Sequence, residues 1–355
     1  MIHFGIVGTG WRSEFFCRIA AARPDLFKVL GIVTRNRQAT AVFGETFNVP
    51  LVESIDEMLQ ATKPLFVITS VPWAPNPGVI KDLVARGLPV LSETPPAPSV
   101  DEMIELCQLV DKGAKIQVAE QYWAQPHHAA RLAFVHSGKM GKLIQAQISV
   151  AHAYHGISLM RRYLGIGYEN ATITAKNFDS TIVDGPGRDG PPAKAKIVET
   201  QQRIAWFDFG SKSGVFDFTG DQYFSYIRGQ RVLVRGERGE LVDETAVYLQ
   251  DHVTPIHVCF ERHSSGINGN LEGHHLKGIQ AGTEWVYTNP LAPARLSDEE
   301  IAVGTCLLRM AEVADGGPDF YSLREACQDH YLGIRMHEAI AAEAPLTTET
   351  QPWAS

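Results

Sequence analysis

The strongest constraint lies in the first 120 residues, where short uninterrupted apolar runs alternate with amphipathic stretches. Ile2–Val7, Lys28–Thr34, Leu65–Thr69, Pro89–Ser92 and Lys115–Ala119 read as strands. Ser13–Ala22, Gln38–Thr46, Asp56–Gln60, Pro77–Arg86 and Val100–Lys112 read as helices between them. Strands separated by helices pair in parallel through right-handed crossovers. Strands apolar along their whole length belong to a sheet covered on both faces. The expectation is α/β, with a parallel-sheet domain over residues 1–122.

Gly8-Thr9-Gly10-Trp11-Arg12-Ser13 falls where the first strand meets the first helix. In this position Gly8 permits a sharp turn and Gly10 lets the backbone approach a pyrophosphate, which the helix N-terminus attracts. A GxG turn after the first strand of a βαβ series is therefore the mark of a dinucleotide-binding Rossmann domain. Ser13 stands where a third glycine is usual and predicts a slightly looser helix–strand contact. At the end of the second strand, a carboxylate that would hold a ribose 2′-hydroxyl is absent. The chain reads Thr34-Arg35-Asn36-Arg37 there, and guanidiniums suit a 2′-phosphate, so the cofactor expectation is NADP ahead of NAD. The competing reading is two solvated surface arginines.

After residue 122 the pattern changes. A helix at Pro126–Ser137 precedes longer segments: Leu143–His152, Ala171–Phe178, Ala195–Phe209, Ser213–Thr219, Arg231–Arg235 and Glu240–Leu249. They predict a large, open, mostly antiparallel sheet in a second α+β domain, 123–355, closed by helices at Asp298–Ala314 and Leu323–Ala342. Asp184–Pro192 reads as a mobile loop.

A formal charge of −8 supplies no basic surplus for nucleic acid. No apolar run reaches the roughly 18 residues of a membrane span, and MIHFGIVGTG lacks the basic start of a secretion signal. Five scattered cysteines read as buried thiols in a reducing cytoplasm. His127-His128 and His274-His275 are adjacent pairs that point apart on a helix, and no metal is expected. Trp11, Trp73 and Trp123 fall at turns and read either as packing or as walls of an apolar cleft.

Several features together resemble the Gfo/Idh/MocA oxidoreductases, over nearly the whole chain. They are the GIVGTG start, Ile68-Thr69-Ser70-Val71-Pro72, Gly87-Leu-Pro-Val-Leu-Ser-Glu93-Thr94-Pro95, Gly138-Lys-Met-Gly141, His155-Gly-Ile-Ser-Leu-Met-Arg-Arg-Tyr-Leu-Gly165 and Val234-Arg-Gly-Glu-Arg-Gly239. The resemblance implies hydride transfer between nicotinamide and a secondary alcohol or ketone of a sugar-like molecule, at a site between the domains. It also implies a homo-oligomer, dimer or tetramer. The candidate dinucleotide contacts are Gly8, Thr9, Gly10, Trp11, Arg12, Thr34, Arg35, Arg37, Ser70, Val71, Pro72, Glu93, Thr94 and Gln121. The candidate catalytic residues are His155, Thr94 and Tyr122, with Tyr154 a further hydroxyl partner.

The chain also departs from the family pattern. Thr94 replaces the lysine of Glu-Lys-Pro and brings a hydroxyl but no charge. Ala151 stands where inositol-dehydrogenase-like members have aspartate, Ser158 where Asp is frequent, and Asn76 where a histidine is usual. His155, at a helix start, is disfavoured as a cation and suits a general base. Arg161 and Arg162 read either as anion contacts or as a solvated helix face. A second class therefore stays open: a dinucleotide-binding relative without net dehydrogenase activity, serving elimination, hydrolysis or sensing.

Overall fold

The computed structural model describes residues 1–269 and 271–354. The chain divides into two compact units. The first comprises 1–128, 262–278 and 288–327, and the second 129–261, 279–287 and 328–355. The first unit's leading segment thus runs to His128 rather than 122, and later segments return to it.

In chain order the first elements are β1 (Ile2–Val7), α1 (Trp11–Ala22), β2 (Phe27–Val33), α2 (Ala41–Phe47), β3 (Leu51–Val52), α3 (Ile55–Ala61), β4 (Phe66–Thr69), α4 (Asn76–Ala85), β5 (Val90–Ser92), α5 (Val100–Asp111) and β6 (Ile116–Val118). All six strands are parallel, in the order β3-β2-β1-β4-β5-β6. That is the Rossmann order, whose switch point lies between β1 and β4. The two-residue β3 is too short to carry a sequence pattern. Phe4, Ile6, Phe66 and Ile68 of the central strands are fully buried. They share one core with Phe16 and Ile19 of α1.

There follow a 3₁₀ turn (Tyr122–Ala124), α6 (Pro126–Val135), β7 (Leu143–Ser149), α7 (Ala153–Leu164), β8 (Thr172–Val183), β9 (Ile197–Asp208), β10 (Ser213–Thr219), a second 3₁₀ turn (Gly220–Tyr223), β11 (Arg231–Gly236), β12 (Gly239–Val242), β13 (Thr245–Leu249), β14 (Pro255–Ser264), β15 (Leu276–Ala281), β16 (Glu284–Thr288), α8 (Asp298–Ala314), α9 (Leu323–Ala342), β17 (Leu346–Thr347) and a last 3₁₀ turn (Pro352–Ala354). The second sheet has eleven strands, ordered β16-β15-β14-β13-β12-β11-β7-β10-β9-β8-β17. It is mostly antiparallel, with β10 and β7 parallel.

The single strand expected at Glu240–Leu249 is a hairpin. Asp243 turns the chain at φ +48°, and Val242 pairs with Thr245. The turn, Val-Asp-Glu-Thr, carries no glycine or proline to announce it. α8 starts from a capping box, with the Ser297 hydroxyl accepting from the Glu300 N–H and the Glu300 carboxylate accepting from the Ser297 N–H. α7 lies close against the second sheet. A Cβ at Gly214 of β10 would meet the Met160 sulfur at 2.1 Å, and one at Gly156 of α7 would meet the Phe216 ring at 2.7 Å. Among the described residues no helix is long and apolar enough to cross a membrane.

Candidate functional site

In the first unit the site begins at the switch point. Gly8 has φ +110°, and a Cβ there would lie 2.1 Å from the Ser70 carbonyl oxygen. Only glycine fits this turn, which brings Ser70 and Val71 beside it. Gly10 is a different case. Its φ of −68° is open to any residue, and a Cβ would meet only Ser70 O, at 3.8 Å. Protein packing therefore leaves open space in front of Gly10. Gly10 is the N-cap of α1 and has no side-chain cap bond; of the first-turn N–H groups, that of Ser13 bonds the Gly10 carbonyl at 2.9 Å. A cradle that a side chain would fill, at a helix N-terminus, fits a dinucleotide pyrophosphate. Ser13 does not loosen the turn. It is fully buried, and its hydroxyl donates to the Gly8 carbonyl at 3.0 Å.

At the end of β2, Thr34 is buried and accepts from the Asn36 N–H at 3.4 Å. Arg35 is exposed, with no ion pair among the described residues. Arg37 is ion-paired to Glu57, whose other oxygen accepts from the Glu53 N–H at 2.7 Å. The two arginines are therefore not equivalent. One is uncommitted and the other is largely spent.

A buried charge cluster lies behind the turn. The Arg12 guanidinium sits 2.9 Å from Glu299 and 3.6 Å from Glu93, with its Cζ 4.5 Å from the Trp11 ring centre. Burial works against its charge, but Glu93 and Glu299 outweigh that and hold its pKa above the ordinary value. Gln121 and Gln125 each donate to Glu299, at 3.0 and 2.7 Å. Tyr122 donates its backbone N–H to Glu120 at 3.2 Å. Burial pushes the Glu93 carboxyl up to about 7; Arg12 pulls against this, and Glu299 and Glu120 add to it. Oε1 of Glu93 and Oε1 of Gln121 are buried without a hydrogen-bond partner among the described residues. Unsatisfied buried acceptors of this kind are what a bound donor group would complete. Glu299, Glu120 and Gln125 were not legible in the sequence, since Glu299 lies far along the chain in the first turn of α8.

Thr94 is half-buried after β5, and its bond to Pro95 is cis. Asn76, where the family has histidine, donates to the Ser92 hydroxyl and the Pro96 carbonyl, both at 3.0 Å. It ties down the end of β5 and the turn beyond. Pro72 and Trp73 are exposed.

In the second unit, α7 begins two residues before the expected start, so His155 is its third residue, in the first turn. His155 and Tyr154 are 6% and 7% exposed. Their ring centres are 4.4 Å apart, and that of His152 is 4.9 Å from His155. His152, the half-buried N-cap of α7, has Nδ1 2.5 Å from the Tyr223 hydroxyl. The same hydroxyl accepts the His152 backbone N–H at 3.0 Å. Burial, then His155, Arg203 and His337, push the His152 pKa down to about 3. Among the described residues Ala153 alone combines a helical position with a positive φ outside glycine, +26°. Such strain costs on the order of 1–3 kcal/mol and gathers at functional sites. Sequence reading named His155 and Tyr154 but not His152, Tyr223 or Arg203.

Arg161 is neither solvated nor offered to an anion. It is 5% exposed and bonded to Asp329 at 2.6 Å. His127 lies 3.6 Å from Asp298, and His275 Nδ1 2.7 Å from the Ser265 hydroxyl. No cluster of metal-ligand type occurs among the described residues.

Residues 2–121 match the family model GFO_IDH_MocA, described as an oxidoreductase family with an NAD-binding Rossmann fold. The Rossmann part of the chain thus matches the NAD-binding domain of the Gfo/Idh/MocA oxidoreductases. The chain's fold is shared with a levoglucosan dehydrogenase in complex with NADH at 14% identity and TM-score 0.69, covering 98% of this chain and 99% of that one. GenD2 from gentamicin A biosynthesis, in complex with NAD, is similar at 15% identity and TM-score 0.66, covering 98% and 96%. A scyllo-inositol dehydrogenase from Lactobacillus casei is similar at 14% identity and TM-score 0.65, covering 98% of each chain. A comparison with curated protein sequences finds no match.

Proposed function

We propose that this chain is a Gfo/Idh/MocA-type oxidoreductase that uses NADP(H) in preference to NAD(H). It would exchange hydride with a secondary alcohol or ketone of a polyhydroxylated, sugar-like substrate. The observation that carries the reading is the open space before Gly10 at the switch point, beside an uncommitted Arg35. Levoglucosan and scyllo-inositol, named for the similar structures, support the choice of substrate class.

Gly8, Thr9, Gly10, Trp11 and Arg12 would hold the pyrophosphate side of the dinucleotide, Thr34 and Arg35 the adenosine ribose, and Ser70, Val71, Pro72, Glu93, Thr94 and Gln121 the nicotinamide side. When bound, the dinucleotide supplies a hydride donor or acceptor at C4 of its ring. His155 takes the proton of the alcohol oxygen, or returns it to the ketone oxygen. Tyr122, Tyr154 and the Thr94 hydroxyl can each give one hydrogen bond without adding charge.

Calorimetric titration checks the cofactor, with NADPH expected to bind more tightly than NADH. Losing one charge-assisted phosphate bond costs about 1.5–3 kcal/mol, so Arg35→Ala should weaken NADPH about 10- to 150-fold and NADH much less. Arg37→Ala should matter less, because its charge is taken by Glu57. For the reaction, purified protein is assayed with levoglucosan, scyllo-inositol and L-sorbose. General-base catalysis contributes about 10²- to 10⁴-fold, so His155→Asn should lower kcat by that range and leave dinucleotide affinity alone. Unchanged turnover in His155→Asn would remove the histidine from the mechanism.

A further inference from the structure

The family's pattern provides a lysine and an aspartate that this chain lacks, yet the second unit carries a pair that the pattern does not describe. The Tyr223 oxygen accepts the His152 backbone N–H at 3.0 Å and lies 2.5 Å from His152 Nδ1, so a proton it donates to Nδ1 completes both of its bonds to the one residue. A histidine whose Nδ1 accepts carries its remaining proton on Nε2. We propose that Tyr223 fixes His152 with its proton on Nε2, and that this N–H is a donor to the substrate hydroxyl next to the one that reacts. The second half rests on the function proposed above; the first does not.

Tyr223 is held for this purpose by its neighbour. The Gln222 side chain donates to the Ser149 hydroxyl at 3.0 Å and to the Gly229 carbonyl at 2.9 Å. Ser149 ends β7, just before His152. The Tyr223 ring also packs on Phe218, with centres 5.0 Å apart. Both partners of the pair are therefore anchored to the same sheet. A proton on Nδ1 would have to displace the tyrosine proton from its short contact.

The surroundings keep the imidazole uncharged. His155 on the same helix, Arg203 on β9 and His337 on α9 all oppose a positive charge at His152, and no carboxylate contributes to its shift. Tyr154 flanks it edge-on, with centres 5.0 Å apart. His152 is half-buried whereas His155 and Tyr154 are almost fully covered, so its ring has the larger solvent-facing edge of the three. A fixed donor stands beside a proton acceptor. That pairing matches two adjacent hydroxyls: one gives its proton to His155 and its neighbour receives a hydrogen bond from His152. A site built to bond a hydroxyl discriminates strongly against an analogue that lacks it.

The test uses the full chain labelled with ¹⁵N-histidine, with His152→Leu assigning the resonance. In the wild type His152 should show a protonated Nε2 and an unprotonated Nδ1 from pH 5 to 8. Tyr223→Phe, which keeps the ring, should let the two tautomers mix. A proton on Nδ1, or a midpoint near 6.5, overturns the first half whatever the enzyme turns over. For the second half, scyllo-inositol and levoglucosan are each compared with the analogue lacking the neighbouring hydroxyl. The analogue and the His152→Leu variant should each raise KM about 10-fold, with kcat little changed, and should not lose further when combined. A wild-type KM in His152→Leu, or additive losses, overturns it. If neither polyol is turned over or shifts the His152 resonance in the presence of NADPH, the substrate role is rejected while the tautomer result stands.

Discussion

Gly8 and Gly10 belong to one turn, yet their substitutions should fail in different ways. Gly8→Ala puts a methyl group into the Ser70 carbonyl at a left-handed φ. A left-handed residue with a Cβ costs about 1–2 kcal/mol before any clash, so the ligand-free protein should melt at lower temperature. Gly10→Val adds bulk only to open space. Its melting temperature without ligand should stay near that of the wild type, while NADPH no longer raises it. An intact NADPH shift in Gly10→Val would show that the space before α1 is not the phosphate cradle. Glu93 adds a pH dependence with a definite sign. Its carboxyl, raised from 4.5 to about 7, binds a proton more tightly folded than unfolded. This contribution is complete below about pH 4.5 and is lost as pH rises through 7, on the order of 2–3 kcal/mol. Glu93→Gln should therefore melt higher than wild type at pH 8 and nearly match it at pH 4.5. An equal difference at both pH values would mean that Glu93 is ionised throughout.

At the level of elements, α7 is the member with least freedom. Gly156 and Gly214 bring it against β10, and the Arg161–Asp329 bond ties it to α9. Removing one partner of a buried pair leaves the other charge undercompensated, at up to about 3–5 kcal/mol. Arg161→Met should lose that much in denaturant unfolding, and a loss under 1 kcal/mol would show that water reaches Asp329. The sequence made the Rossmann half readable because β1, β2, β4, β5 and β6 are largely buried and the helices between them are amphipathic. α8 and α9 fall where the sequence placed them, at Asp298–Ala314 and Leu323–Ala342. β14, β15 and β16 were not readable, although Gly266, Gly269, Gly273 and Gly282 mark their connections, because exposed residues outnumber buried ones along β14 and β16 and leave no apolar run to read. The same limit applied to the site. His155 and the GxG turn are local patterns. Arg12 with Glu299, and His152 with Tyr223, join residues 287 and 71 positions apart, and such pairs leave no spacing to read.

The whole second sheet has one covered and one open face. Cross-strand register places Phe178, Trp206, Val215, Leu233, Val242 and Val247 on the same side. Of these, Trp206 is 54% exposed, Phe178 45% and Val242 40%. The other side, with Ile173, Ala205, Phe207, Phe216, Ile148 and Leu241, is closed to solvent. Polar residues such as Lys176, Gln202, Gln147 and Glu240 share this face, and large exposed apolar side chains set among polar ones fit the make-up of an association surface, so the protein is expected to be a homo-oligomer. Sedimentation should show a dimer or tetramer at micromolar concentration, and Trp206→Glu should shift it toward monomer without lowering the melting temperature of the fold. A monomeric wild type would refute the expectation. The ends of the same sheet bear on how far such assembly can go. One border is β17, only two residues long, and so brief a strand offers too few free N–H and C=O groups to recruit another chain. Beyond Thr172 and Ile173 that border is β8 itself, where the exposed Lys176 and Asp179 put charge in the way of another strand, and copies that meet face to face about a two-fold axis close on themselves. The protein should stay a particle of fixed size when concentrated, instead of growing into ribbons.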